Sequence, residues 1–266
     1  MTVHREVPIS ISTTFCYDLD IMEQLEILHK IGYCYVSLGM NAEHSGIFHE
    51  ERLSNLKSKL KKHNMKVDTI HVSCLLVDDD WEEIMVKTME AACYLGCTIL
   101  VQHCTEFDFP EDEFQIKYRI VKERVELLEK LCAKYKIQVA LENVMPYHQT
   151  KIVEDILRDT PSDWIGFCYD SSHDQIDGPR DFQLLERWKH RLLTVHLSDR
   201  IKEYADHVIP GEGFIDFSSI LNIIDCKTAS FPLLFEVETT HSQVKDPYML
   251  AKKVYDIGEK WLEPER

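Results

Sequence analysis

Eight times along this chain a short run rich in β-branched and aromatic residues gives way to a longer amphipathic stretch. No linker interrupts the alternation. The predicted strands cover 8–15, 33–40, 67–74, 98–104, 138–144, 165–170, 193–198 and 233–237. Between them apolar residues recur at three and four. Trp81, Ile84, Met85, Thr88, Ala92 and Leu95 form one such stripe, and Val121, Val125, Leu128, Cys132 and Tyr135 another. The second is backed by Lys122, Glu123, Glu126, Glu129 and Lys130, and Leu250, Val254, Ile257 and Trp261 repeat the spacing near the end. Asp20 and the Asp246-Pro247 pair read as helix starts, and Gly32 and Gly96 as helix stops.

Eight β/α units in 266 residues predict one α/β domain over 1–266, a single (β/α)8 TIM barrel. A chain of ~250 residues is typical of that fold. The rival is an open doubly wound sheet, which usually carries a Gly-rich phosphate turn after its first strand. Here that segment reads Ser12-Thr13-Thr14-Phe15-Cys16.

Composition narrows the function classes. Hydrophobic residues make up 44% of the chain, enough for a packed core, and 46 acidic against 30 basic residues leave a charge of −16. That balance argues against nucleic acid as a partner, because phosphate binding needs a basic face. No apolar run approaches the ~20 residues of a membrane helix. The segment MTVHREVP has no signal-peptide core, and nine cysteines without a CxxC pair read as reduced, packed thiols. A cytoplasmic protein is expected, and homo-oligomerisation stays open. Cys93 and Cys97, four apart, are expected on neighbouring turns of a helix.

Strands of a parallel barrel are buried on both faces, so polar residues in them need explaining. Here they gather at the C-terminal ends: Leu141-Glu142, Tyr169-Asp170, Val195-His196 and Phe235-Glu236. Side chains alternate along a strand. With Leu141, Tyr169, Val195 and Phe235 facing the helices, Glu142, Asp170, His196 and Glu236 face the barrel axis, together with Ala140, Cys168, Thr194 and Leu234. They meet in the mouth where barrel enzymes keep their sites. Three carboxylates so placed must be protonated, paired or metal-bound. The four strand ends offer no Lys or Arg before Asp199, so a divalent cation is the economical neutraliser. His71 and His103 end strands three and four, His173 follows strand six, and His207 lies in the loop after strand seven. Those outside the foursome are candidates for ligand support, substrate contact or a second metal. His29, His63 and His190 fall in helical patterns and are expected at the surface. Tyr17, Phe107, Trp188 and the segment 41–49 are candidates to shape the pocket, with packing as the alternative for the aromatics.

Together, Leu141-Glu142-Asn143, Tyr169-Asp170-Ser171-Ser172-His173, His196-Leu197-Ser198-Asp199, Pro210-Gly211-Glu212-Gly213 followed by Ile215-Asp216-Phe217, and Phe235-Glu236 resemble the xylose-isomerase-like barrel superfamily. The resemblance spans nearly the whole chain. Within the superfamily it points to the sugar phosphate isomerase/epimerase group. That group includes ketose 3-epimerases, hydroxypyruvate isomerase and inosose dehydratase, and is related to endonuclease IV. It implies that Glu142, Asp170, His196 and Glu236 hold one divalent metal, manganese first, with zinc, cobalt or magnesium as alternatives. It also implies that Glu142 and Glu236 act as acid and base on opposite faces of a sugar. His173 and a basic residue after strand seven, Arg200 or Lys202, would hold substrate oxygens. The endonuclease IV resemblance extends to His71, His103, His173 and His207, which match ligands of its three zinc ions. One ligand is missing: Ala205 stands where that family has an aspartate.

The expected activity is proton transfer at a carbon next to the carbonyl of a ketose or polyol ketone, through an enediolate. Few glycines follow strands seven and eight, which favours a substrate without phosphate. The alternatives are an endonuclease IV-like zinc phosphodiesterase acting on abasic DNA and a sugar-binding barrel without catalysis. A Schiff-base aldolase would need a lysine at a strand end, and none of the predicted strands ends in one.

Overall fold

The computed structural model describes residues 8–107, 109–144, 147–202 and 206–263. Strands β1 (Ile9–Ile11), β2 (Tyr35–Leu38), β3 (Lys66–His71), β4 (Ile99–Gln102), β5 (Gln138–Glu142), β6 (Ile165–Asp170), β7 (Leu192–His196) and β8 (Leu233–Phe235) are all parallel to their neighbours. A helix follows each: α1 (Ile21–Ile31), α2 (Glu50–His63), α3 (Trp81–Leu95), α4 (Phe114–Tyr135), α5 (His148–Asp159), α6 (Gln183–Trp188), α7 (Phe217–Ile224) and α8 (Pro247–Leu262). Strands β2 to β7 form one continuous sheet, and β1 pairs with β8. Single bridges, Ser12 to Ser37 and Leu197 to Phe235, join the two pieces. This is the (β/α)8 ring that the alternation predicts.

The punctuation acts locally as its chemistry demands. The Asp20 carboxylate accepts the Met22 N–H at 2.8 Å, and Asp246 accepts from Met249 at 2.8 Å with Pro247 in the first turn. Gly32, at φ 116°, ends α1 in the left-handed region open to glycine. The first strand is shorter than expected because Ser12 caps a 3-10 turn, Thr13–Cys16, that ends it.

Alternation sorts the two faces. Leu141, Tyr169, Val195 and Phe235 belong to the core between strands and helices, where each fully buried large apolar side chain contributes roughly 1.5–3 kcal/mol. Phe235 stacks on Trp261 of α8 at 5.5 Å. Inside the ring, Val101, Ala140 and Cys168 pack with Ile99 and Leu193 as an apolar floor. Leu193 reaches that floor through a bulge: Phe167 pairs with Leu192 and Cys168 with Thr194, leaving Leu193 unpaired between them. Gly166 makes room for it, since a Cβ there would lie 2.5 Å from Leu193 Cγ.

Two expectations need correction. His63 is buried, not at the surface. Its ring stacks on His29 at 4.1 Å and its Nε2 lies 3.2 Å from Glu26 Oε1, because α2 turns that face toward α1. Cys93 and Cys97 do not share a helix. Gly96 ends α3 between them, and Cys97 packs beside β3 with its thiol toward the Asp68 carbonyl.

Candidate metal centre at the barrel mouth

Glu142 ends β5, Asp170 ends β6, His196 ends β7 and Glu236 directly follows β8. All four are buried. His196 Nδ1 lies 3.3 Å from Glu142 Oε1, 4.0 Å from Asp170 Oδ2 and 2.9 Å from Glu236 Oε2. Yet Glu142 Oε1, Asp170 Oδ2 and His196 Nδ1 make no hydrogen bond. Each buried polar atom left so costs about 1–3 kcal/mol. Electron-rich atoms aimed at one another across such distances fit a shared divalent cation.

Local chemistry explains why those atoms are free. Asp170 divides its oxygens. Oδ1 accepts the His173 N–H at 2.8 Å and the Ser172 hydroxyl at 3.1 Å, capping the single turn Ser171–Asp174, which leaves Oδ2 for the cluster. Glu142 divides its own. Oε1 faces His196, and Oε2 lies 3.2 Å from His71 Nε2 and 3.3 Å from His103 Nε2.

Two amides position these side chains; Asn143 stood in a motif without an assigned role, and Gln149 was not singled out. The Asn143 side chain accepts the Asp170 N–H and donates to the Asp170 carbonyl, each at 2.9 Å. It acts as an extra rung tying the end of β5 to the end of β6. The Gln149 side chain accepts from Val144 N–H and donates to the Glu142 carbonyl. For Asn143 the signal available was a polar residue directly after a strand-end carboxylate; Gln149, seven residues beyond Glu142, offered none.

The accessory histidines gather around the same mouth. His71 and His103 bring their Nε2 atoms within 3.2 Å of each other, and Glu142 Oε2 from β5 completes the group. His173 and His207 meet edge to face at 5.1 Å and form a third group with Asp170. Backbone carbonyls fix three of the tautomers. His71 Nδ1 donates to Val72, His173 Nδ1 to Asn143 and His207 Nδ1 to Glu236, which leaves Nε2 of each ring for other partners. His207 also holds a left-handed φ of 51°, a strained backbone for a non-glycine residue.

Without a cation the cluster is balanced by protons. Burial opposes charge on Glu142, but His196 and His103 hold its carboxyl well below the usual carboxylate range. Glu236 is likewise drawn down to about 2, against burial, by His196. His196 rises well above the usual imidazole range, against burial, through Cys168, Glu236 and Glu142. His173 rises to about 9, against burial, beside Asp170 and Glu142. Burial lowers His103. Protons on His196 and His173 thus supply the positive charge that the carboxylates need.

The loop after β7 is organised by Asp199, which stood in a sequence motif without an assigned role. Its Oδ1 accepts the N–H of Arg200 and Ile215, and its Oδ2 those of Gly211 and Gly213, at 2.8–3.0 Å. A Cβ on Gly213 would lie 2.1 Å from the Arg200 carbonyl, so glycine is required there. Arg200 is fully buried. It donates to the Ser172 and Lys202 carbonyls and pairs with Asp206 at 2.9 Å, which gives it a bracing role in the loop. Lys202 is exposed. Ala205 lies outside the described residues. At the rim, the Tyr17 phenol is pushed up to about 12 by burial and by Glu236, and it meets His44 edge to face at 5.0 Å. Phe107 lies exposed beside His103. Trp188 packs away from the mouth, its Nε1 donating to Glu154. A cavity of about 700 Å³ between α6 and α7, lined by Gln175, Arg180, Phe182 and Phe214 among others, holds none of the four converging side chains.

Residues 25–263 match the family model described as xylose isomerase-like TIM barrel. An inosose dehydratase from Clostridium perfringens is 25% identical over 69% of this chain and 73% of its own length. Among solved structures, the 3-keto-D-glucoside 4-epimerase YcjR from E. coli superposes with a TM-score of 0.75 at 15% identity, covering 96% of this chain and 99% of that one. The IolI protein, solved with a zinc atom bound, gives a TM-score of 0.71 at 19% identity, covering 96% of each chain. With the matched segment running from α1 to the end of α8, the chain belongs to the xylose isomerase-like TIM barrel family.

Proposed function

We propose that this protein is a divalent-metal-dependent sugar isomerase or epimerase. It moves a proton at a carbon next to the carbonyl of a ketose or related polyol ketone. One observation carries the reading: His196 Nδ1 and three carboxylate oxygens converge within 2.9–4.0 Å while Glu142 Oε1, Asp170 Oδ2 and His196 Nδ1 go without hydrogen bonds. The relatives named for a dehydratase and an epimerase support sugar chemistry in the family.

Glu142, Asp170, His196 and Glu236 would hold a divalent cation, which would supply Lewis acidity to offset the negative charge developing on substrate oxygens. Three carboxylates and one imidazole form a hard set that suits manganese, and the zinc of IolI makes zinc the main alternative. Glu142 ends β5 and Glu236 follows β8, three strands further round the ring. One removes the proton and the other, itself protonated, delivers a different one to the opposite face of the substrate. A single one of them shuttling the proton between neighbouring carbons would give isomerisation instead. His173 and Lys202 are the proposed contacts to substrate oxygens, and Tyr17 and Phe107 the apolar rim. Deuterium incorporation beside the carbonyl, measured over a panel of ketoses in deuterated water with manganese added, tests the reading. No exchange on any of them would count against it.

The additional groups His71–His103–Glu142 and Asp170–His173–His207 favour a second reading, a multinuclear zinc phosphodiesterase. A charge of −16 disfavours DNA as its substrate. Metal stoichiometry near three, with cleavage of abasic DNA, would promote it.

A further inference from the structure

Cys168 lies in the barrel shaft just below the four-ligand set. It sits two residues before Asp170 on β6, so its side chain shares the inward face one step deeper. Its register partners are Glu142 on β5 and Thr194 on β7. The Cys168 sulfur, one Glu142 oxygen and one His196 nitrogen lie within 4.8 Å of one another. Glu142, Cys168 and His196 are each at most 1% exposed. Thr194 Oγ1 is buried there without a partner, as are Glu142 Oε1 and His196 Nδ1.

We propose that Glu142, Cys168 and His196 form a second, thiophilic metal seat beneath the oxygen-rich one, sharing two of its ligands. This rests on the reading of Glu142 and His196 as metal ligands. The two levels differ in hardness and in charge. Above, three carboxylates leave a divalent ion with net negative charge, and hard oxygen donors suit manganese or magnesium. Below, a thiolate, a carboxylate and a neutral imidazole bring a divalent ion to neutrality. A closed, desolvated seat favours a neutral complex. Thiolate with imidazole and carboxylate is a donor set that zinc and cobalt take readily. On binding, the Cys168 thiol proton and the proton that His196 carries in the metal-free protein both leave to solvent as the metal–sulfur and metal–nitrogen bonds form. Hard and thiophilic ions are thereby sorted to different levels of one shaft.

Cobalt(II) reports the difference without any assay of turnover. The full chain, stripped of metal by a chelator and kept reduced, is titrated with cobalt(II) and followed by absorption. A near-ultraviolet thiolate-to-cobalt charge-transfer band is expected in the wild type. It is expected to be lost in Cys168→Ser and in Cys168→Ala, and kept in Asp170→Asn, which lacks only an upper ligand. Visible cobalt bands without charge transfer in the wild type would overturn the seat while leaving the upper site standing. A charge-transfer band that survives in both Cys168 variants would also overturn it, by assigning the band to other thiols such as exposed Cys93. No cobalt absorption at all would remove the four-ligand reading along with it.

Discussion

Replacing Asn143 with alanine tests whether the ligands are held by geometry or merely lie close. The Asn143 amide satisfies two buried backbone groups of Asp170, its N–H and its carbonyl, each at 2.9 Å. Alanine leaves both without that partner. Each buried unsatisfied group costs about 1–3 kcal/mol, so Asn143→Ala should destabilise by about 2–6 kcal/mol. For a chain of this size each kcal/mol moves the melting temperature by about 2–4 °C, so the shift should be at least about 4 °C. The same rung sets where Asp170 stands relative to Glu142. Losing it should weaken metal binding about 10–100-fold, the scale seen when outer partners of metal ligands are removed. Melting in the presence of a chelator measures the first effect. Manganese titration well below the melting temperature measures the second. A variant that melts with the wild type and binds manganese equally well would refute the reasoning.

Three further outcomes follow from the same geometry. Glu142→Gln or Glu236→Gln should slow proton exchange by about 10²–10⁴, read as deuterium incorporation, because positioned acid–base groups contribute on that scale; wild-type exchange in either variant would reject the mechanism. Metal-free protein should be most stable in mildly acidic solution, followed as melting temperature against pH. His173 is raised from 6.5 to about 9 by Asp170 and Glu142 despite burial, so its contribution is full below pH 6.5 and lost as pH rises through 9. Glu236 is lowered from 4.5 to about 2 by His196 despite burial, so its contribution is full above pH 4.5 and lost as pH falls through 2. Asp199→Ala should free four backbone N–H groups in the segment 200–215, seen as faster amide hydrogen exchange there and unchanged protection of α4.

The fold was legible because every strand of a parallel barrel is buried on both sides, so a carboxylate or imidazole at its end stands out against the apolar run. Alternation then chose the face: Leu141, Tyr169, Val195 and Phe235 went outward and their neighbours inward, as the packing has it. The misses share a cause. Asn143 and Asp199 act on backbone groups, and a side chain that serves as a backbone partner leaves no periodic or compositional trace. Leu193 turns inward only because the ladder slips between Phe167 and Cys168, and a register shift depends on the partner strand rather than on the strand itself. His63 reads as a surface residue until α1 is placed beside α2. Pattern therefore reports which chemistry enters the barrel mouth, while the distances at which it works are set by residues whose partners are distant in sequence. That division explains why Glu142, Asp170, His196 and Glu236 could be chosen together from one sequence, whereas the split of Asp170 into a capping oxygen and a free one needed the structure.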